Sequence, residues 1–300
     1  MVSVGNKIPI LIAGATGQLG AAITKHALED SRLQVNILVR DPKKNPELTT
    51  QVEAAGGKVH KGDLEQPETL KDVTRGIHTV ISVITGTDDK VTVDGQIALI
   101  QDSIKNGVKR FVPSDFGVDY TNISNEELLA SFITDYKAKL DDYLKTNPIP
   151  LLRFYTGSIA ETMFYILSNG NTYWGDDIRH NITSYDNTAR VVVAAVARPE
   201  LTGRVTYSGS NHTVKEVQDI YNRVRGTTVE LKQAGSLEDL KKLTAAKKSE
   251  GDHQTAGFLA LLSVIYDQRS KFPKTDNDKF PEVKATSLEE FLKENPNVKL

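Results

Sequence analysis

The sequence predicts an α/β fold: a doubly wound parallel sheet over residues 1–155, followed by a smaller α+β part over 156–300. Three observations lead there. Short β-branched apolar runs alternate with stretches of helical periodicity as far as residue 155. A glycine-rich turn stands directly after the first of those runs. Beyond residue 155 the alternation gives way to turn-rich segments and charged amphipathic stretches. Alternation with short links implies right-handed crossovers and a sheet covered on both faces. Ligands of such sheets bind at the carboxyl ends of the strands, beside the reversal in strand order.

The elements follow in order. Residues 8–13, Ile-Pro-Ile-Leu-Ile-Ala, read as a buried strand, and 19–28 as a helix with small and apolar residues on one face. Residues 35–39 are a second strand, and 47–55 a short helix closed by Gly56-Gly57. Residues 58–60 are a third strand, 68–74 a helix, 79–84 a fourth strand, and 91–105 a helix ended by Asn106-Gly107. Residues 110–112 are a fifth strand, 126–144 a long helix ended by Asn147-Pro148, and 149–154 a sixth strand. In the second half, 187–197, 214–225, 237–248, 257–266 and 287–295 read as helices and 203–208 as a strand. Ser287 and Glu290 have capping-box spacing.

Composition narrows the function. The 300 residues are 39% hydrophobic and 25% charged, enough apolar content for a sizeable core. A formal net charge of -2 gives no global electrostatic case for nucleic acid or an acidic membrane. There is no cysteine, which excludes disulfides, iron–sulfur clusters and thiol catalysis. The apolar runs, such as 191–197, fall far short of the roughly 20 residues of a membrane span, and no secretory signal pattern opens the chain. The expectation is a soluble, cytoplasmic protein with neither a membrane nor a direct nucleic-acid partner.

Gly14-Ala-Thr-Gly17-Gln-Leu-Gly20 lies between the first strand and the first helix. Gly14 permits a tight turn, Gly17 lets the backbone approach a pyrophosphate, and Gly20 lets helix and strand pack closely. Helix amides and the macrodipole favour phosphate there. The context points to Rossmann-type dinucleotide binding; the competing reading is a tight turn without a ligand. At the end of the second strand, where an acidic residue hydrogen-bonds the ribose of NAD, stands Arg40, with Lys43 and Lys44 behind it. A guanidinium suits a 2′-phosphate, so NADP(H) is expected, although Asp41 is adjacent. Asp63 either sits near the adenine or caps the helix after Pro67.

Catalytic candidates are few. None of the ten tyrosines is followed by lysine four positions on, the six histidines show no metal spacing, and no metal site is expected. The absent Tyr-x-x-x-Lys also weighs against a sugar epimerase or dehydratase. Lys137 and Lys139 flank the apolar stripe of Leu129, Phe132, Ile133, Tyr136, Leu140, Tyr143 and Leu144, at opposite edges. Partial desolvation lowers the pKa of such a lysine. The alternative is two snorkelling surface side chains, and periodicity does not choose between the two lysines.

The glycine turn, Leu38-Val-Arg40, Lys61-Gly-Asp63, Arg110-Phe-Val-Pro-Ser-Asp-Phe-Gly117 and Tyr136-Lys137, in this order, resemble the isoflavone reductase-like and NmrA-like family of atypical short-chain dehydrogenases. The resemblance covers the first 155 residues well; Ser184 to Ala189 with Pro199 extends it into the second half. It implies a Rossmann domain over 1–155 that binds NADP(H), a substrate-binding subdomain over 156–300, and a substrate cleft between them. It implies that Lys137 is the catalytic lysine. Cofactor contacts are expected from the cradle residues Gly14, Thr16, Gly17, Gln18, Leu19 and Gly20. Further contacts are expected from Arg40, Lys44, Asp63, Thr85, Gly86, Ser114, Lys137 and Tyr155. Hydride is expected to leave the nicotinamide near residues 84–86.

Family members of the plant reductase type act on phenolic substrates, whereas NmrA-like regulators bind a dinucleotide and a protein partner without catalysis. Both readings stand for this chain: an NADPH-dependent reductase of a small aromatic or conjugated carbonyl-type substrate, or a dinucleotide-sensing regulator. The chain departs from the family at Tyr155-Thr-Gly157-Ser-Ile159, where similar enzymes carry a Ser-x-Asn-Cys-Phe-like segment. Tyr155, Thr156 and Ser158 offer hydroxyls to a substrate carbonyl, or satisfy backbone groups.

Overall fold

In the computed structural model, which describes residues 7–86, 88–131 and 134–300, the first half builds a five-stranded parallel sheet. Its strands are β1 (Ile8–Ala13), β2 (Leu33–Val39), β3 (Val59–Lys61), β4 (Thr79–Ser82) and β5 (Arg110–Val112), in the order β3-β2-β1-β4-β5. Helices α1 (Gln18–Glu29), α2 (Pro46–Ala54) and α3 (Gln96–Lys105) connect them. The inner strands are buried along nearly their whole length, which explains their unbroken apolar runs. Asn36, buried in β2, donates to Ile10 O at 3.0 Å and accepts from Lys58 N at 3.0 Å, so its amide serves the strands on either side. The chain runs outward from β1 to β3, then crosses to β4 and β5. The strand order therefore reverses between β1 and β4.

Two elements are shorter than periodicity suggests, each for a visible reason, and a third is helical over its expected length but opens irregularly. The helix expected over 68–74 is a single 3-10 turn, Pro67–Leu70. The buried Asp102 carboxylate takes the N–H of Asp72 (2.7 Å), the N–H of Thr74 (3.0 Å) and the Thr74 hydroxyl (2.7 Å), and so pulls the chain out of helix. The strand expected over 79–84 ends at Ser82 because Ile84 N donates to Ser114 Oγ (3.1 Å) and not to a strand. The helix over 91–105 opens as a π-helical stretch, Lys90–Gly95, before α3.

The helix expected over 126–144 is two helices, α4 (Asn125–Leu129) and α5 (Asp135–Thr146). A Ser124–Glu127 capping box starts α4. Ser131 N donates to Leu128 O (3.3 Å) and Thr134 Oγ1 to Leu128 O (2.7 Å), which ends α4; Asp135 N to Ser131 O (2.8 Å) opens the next turn. Of the expected stripe, Phe132, Ile133 and the side chain of Leu129 lie outside the described residues.

The sixth strand, β6 (Leu152–Tyr155), does not extend the sheet. Pro148 and Pro150 bring no N–H, and contact with β5 is one bridge, Phe111 with Leu151. The chain continues through β7 (Ser158–Ile159), α6 (Ala160–Ser168), β8 (Thr172–Trp174), β9 (His180–Thr183), α7 (Tyr185–Val196), β10 (Gly203–Thr206) and β11 (Ser210–His212). It ends with α8 (Val214–Arg225), β12 (Lys232–Gly235), α9 (Leu237–Ser249), α10 (His253–Ile265) and α11 (Leu288–Glu294). β6 pairs with β10, β11-β9-β7 form a small mixed sheet, and β12 pairs with β8. Helix α6 buries Ala160, Met163, Phe164 and Leu167 at helical spacing, a signal the sequence reading does not use, whereas the short strands β7, β8, β9, β11 and β12 carry no clear periodicity.

The chain divides into two compact units, each built from separate segments. One comprises the chain to Asp115, Lys139–Phe154 and Ala189–Val205. The other comprises Phe116–Ala138, Tyr155–Thr188 and Thr206–Leu300. The core of the second unit includes Phe164, Tyr221, Leu240, Leu259 and Phe291. Among the described residues no helix is long and apolar enough to cross a membrane. Nor, among them, do three or more His, Asp or Glu side chains cluster to hold a metal.

Candidate functional site

In the first unit the candidate residues meet at the carboxyl ends of β1, β2 and β4. Gly14 leaves β1 with φ +87°, a left-handed turn, and a Cβ there would stand 2.3 Å from Val83 O. Gly20, in the first turn of α1, passes so near that its Cβ would lie 2.0 Å from Gly14 O. These two glycines are demanded by the fold itself. Gly17 is different: its φ of -76° suits any residue, and its Cβ would meet only Gly14 O, at an ordinary 3.5 Å. Gly17 is exposed, as are Thr16 and Gln18, and it caps α1 without any side-chain hydrogen bond. Among the described residues no contact requires glycine at position 17, and as the N-cap of α1 it stands where helix amides are unpaired, the place a phosphate would take. Leu19 is buried against the core and contributes backbone only.

Arg40 follows β2 and is exposed; among the described residues its guanidinium makes no hydrogen bond or ion pair. The Asp41 carboxylate accepts Lys43 N at 3.0 Å and caps the turn Pro42–Lys44. Lys43 and Lys44 are exposed and also without an ion pair among the described residues. Lys61 adds a fourth exposed cation: parallel pairing sets it beside Val39, the residue before Arg40. Strand register, invisible to spacing along the chain, is the signal that would have found it.

Asp63 caps no helix. Its carboxylate accepts Glu65 N at 3.1 Å while its N–H donates to Thr69 Oγ1 at 2.8 Å, a local turn beside the end of β3. Thr85 is exposed and Gly86 half-buried, after β4. The hydroxyl of Ser114 accepts Ile84 N and so fixes the course of this segment.

The rest of the Arg110–Gly117 motif is structural in the same sense. Arg110 is fully buried and donates to Val196 O (2.8 Å), Arg198 O (2.7 Å), Leu201 O (2.6 Å) and Thr79 Oγ1 (3.1 Å). Burial lowers its pKa to about 10, still well above neutrality. Arg153 pairs with Asp115 at 3.1 Å and with Asp141.

The second unit holds the lysine site. Lys137, half-buried on α5, places Nζ 4.8 Å from the ring centroid of Tyr120 and 5.0 Å from that of Tyr136. Tyr120 packs edge-on against the buried Tyr155, with centroids 5.7 Å apart, in a cluster with Ile123, Leu128, Ala138, Val264 and Phe272. Lys139, two residues on, forms an ion pair with Asp89 at 2.7 Å. Geometry therefore separates two lysines that periodicity left equal: one has an aromatic setting, the other a carboxylate.

Within the departure at 155–159, the glycine is required by packing. Gly157 has φ +75°, and its Cβ would lie 2.1 Å from Asn181 O, so no side chain fits. Thr156 O accepts Thr183 Oγ1 at 2.6 Å, and the Thr156 hydroxyl lies 3.4 Å from that of Thr188. The buried Ser158 Oγ has no hydrogen-bond partner among the described residues.

The sequence profile of the NmrA-like family matches residues 6–292. The chain belongs to the NmrA-like family. It is 29% identical over 201 residues to the Photosystem II assembly factor Ycf39 of Guillardia theta, covering 63% of this chain. The chain spans only 55% to 60% of the length of its two 29%-identical curated relatives. It is 24% identical over 315 residues to the phenylcoumaran benzylic ether reductase PT1 of Pinus taeda, covering 96% of this chain and 98% of that one. Among solved structures, the triphenylmethane reductase of Citrobacter sp. complexed with NADP(H) superposes with a TM-score of 0.69 at 21% identity, over 95% of this chain and 99% of that one. At that identity the structural likeness shows a shared fold.

Proposed function

We propose that this NmrA-like chain is an NADPH-dependent reductase of a small aromatic or conjugated carbonyl-type substrate. The observation that carries the cofactor is the open N-terminus of α1 at Gly17 beside a group of exposed cations, Arg40, Lys43 and Lys44, that no carboxylate of the described residues neutralises. The amides at the start of α1 hold the pyrophosphate; Arg40, with Lys44 beside it, holds the 2′-phosphate. Asp63, Thr85, Gly86, Ser114 and Tyr155 complete the proposed contacts, Ser114 through the segment it fixes. NADPH supplies the hydride when bound.

Lys137 holds the proton at Nζ and delivers it to the developing oxyanion of the substrate. The faces of Tyr120 and Tyr136 restrict its position, so less freedom is lost when a substrate arrives. Proton transfer of this kind contributes roughly 10²–10⁴-fold. The first 155 residues serve the cofactor and residues 156–300 shape the substrate site. The reductase and NADP(H) names among the relatives support this reading.

The test is NADPH oxidation over a panel of quinones, enones and aryl ketones. Lys137→Ala is expected to lose at least about a hundredfold in kcat, a larger loss than in NADPH affinity, to which Lys137 is one contact among many. Full activity in that variant would remove Lys137 from the mechanism.

A second reading has one observation in its favour: a 29%-identical relative is named an assembly factor. Under it the same cradle senses NADP(H) for a protein partner. A chain that binds NADPH, oxidises it with no member of the panel, and captures a partner in one redox form only would establish that reading.

A further inference from the structure

The second unit contains a cavity of about 690 Å³, within the range that accommodates small ligands. Its wall includes Arg179, Arg269 and Lys271 and no carboxylate. Two of these cations are already matched. Arg179 forks onto Glu216 at 2.7 and 3.2 Å, while Arg269 and Lys241 together meet Glu127 and Asp267, Arg269 at 2.7 Å from each and Lys241 at 3.0 Å from Glu127. Lys271 is not matched: its Nζ donates to the neutral Ile265 O, and among the described residues it forms no ion pair. Neutral polar side chains share the cavity wall. Among them is the buried Asn181, whose amide oxygen accepts Phe272 N at 3.3 Å. Gln268, Asn211 and Ser210 line the same space, with Phe272 and Pro273 as apolar wall.

We propose that this cavity binds a small organic monoanion, a carboxylate, whose charge is met by the Lys271 ammonium and whose oxygens take the surrounding N–H and O–H donors. The count of charges selects the class. One surplus cation matches one negative charge; a phosphate dianion would bring a second without a partner. Phe272 and Pro273 suit an apolar body behind the carboxylate. Neither Lys137 nor the glycine cradle lines this cavity, so the proposal does not depend on the proposed reductase activity.

The surroundings of Lys271 make the binding responsive to pH. Desolvation lowers its pKa to about 7, against the attraction of Asp267. The other charged or titratable groups facing it are Arg179, Arg269 and His180, which is stacked edge-on against Tyr266 at 5.6 Å. The Lys271 amine is therefore half-protonated near neutrality, and a bound carboxylate draws a proton onto it.

The test is calorimetric titration of the whole chain with 2-naphthoate and with its neutral analogue 2-naphthamide. Between about pH 6 and about pH 8 the protonated fraction of a group with pKa near 7 falls about tenfold, and 2-naphthoate affinity is expected to fall with it. Lys271→Met is expected to bind about tenfold more weakly at the lower pH, with no pH dependence left. Lys271→Arg is expected to bind at both pH values alike, since a guanidinium stays charged. Should Lys271→Met fail to fold, the wild-type pH profile and the arginine variant decide. The proposal is overturned if 2-naphthoate fails to bind at the lower pH, if it binds no better there than 2-naphthamide, or if its affinity is the same at both pH values.

Discussion

At the scale of single residues, the glycines of the cradle are kept for different reasons, and substitution separates them. Gly20→Ala drives a Cβ into Gly14 O and is expected to cost about 1–3 kcal/mol of stability or more, read as a lowered denaturant midpoint. Gly17→Ala meets only an ordinary contact, so the fold is expected to keep its midpoint while NADPH affinity drops at least about tenfold, the loss of about 1.4 kcal/mol of phosphate contact. An equal loss of stability in both variants would show that Gly17 is architectural.

His180 offers a second residue-scale test. Burial holds its pKa well below the ordinary value, and neither ring nitrogen has a hydrogen-bond partner among the described residues, so it folds neutral. The unfolded chain binds a proton there as pH falls through about 6.5, and the folded chain does not. Stability is therefore full above that pH and falls below it by about 1.4 kcal/mol per pH unit from this group. His180→Phe keeps the ring against Tyr266 and is expected to remove that share of the acid sensitivity. Identical acid sensitivity in the variant and the parent chain would contradict it.

At the scale of elements, the parallel strands were legible because burial on both faces writes itself as unbroken apolar runs, as in β1 and β2. Helix boundaries were less legible, because polar side chains distant in sequence set them. Asp102 unwinds residues 72–74 from 28 to 30 positions away, and Thr134 ties back to Leu128 between α4 and α5. The short strands of the second half escaped notice because their order comes from pairing and not from pattern, as where β11 lies on β9. The site divided in the same way. The glycine turn and Arg40 were readable from spacing, whereas the contribution of Lys61 depends on strand register.

The fully buried Arg110 shows how far one such contact reaches: it joins β5 to the carbonyls that close α7 and to the loop beyond. Arg110→Met leaves those three carbonyls without their donor and is expected to cost about 3 kcal/mol or more in urea denaturation. Arg110→Lys, with one point of charge in place of a fork, is expected to recover less than half of that loss. A near-neutral effect of Arg110→Met would show that water serves those carbonyls in its place.

At the scale of the whole molecule, a chain of net charge -2 carries a compact group of cations beside an open helix N-terminus. Overall charge balance is therefore compatible with the proposed local anion site, and NADPH affinity is expected to weaken with salt more than a near-neutral protein would suggest. The two units are each assembled from separated stretches of chain, so cofactor binding to one is expected to raise the unfolding temperature of the protein as a cooperative whole. The most direct test of the account is calorimetric titration of NADPH and NADH into the parent chain and into Arg40→Ala. The account predicts that NADPH binds at least about tenfold more tightly than NADH, and that Arg40→Ala removes most of that preference. Equal affinity for the two dinucleotides, or binding of neither, would contradict it.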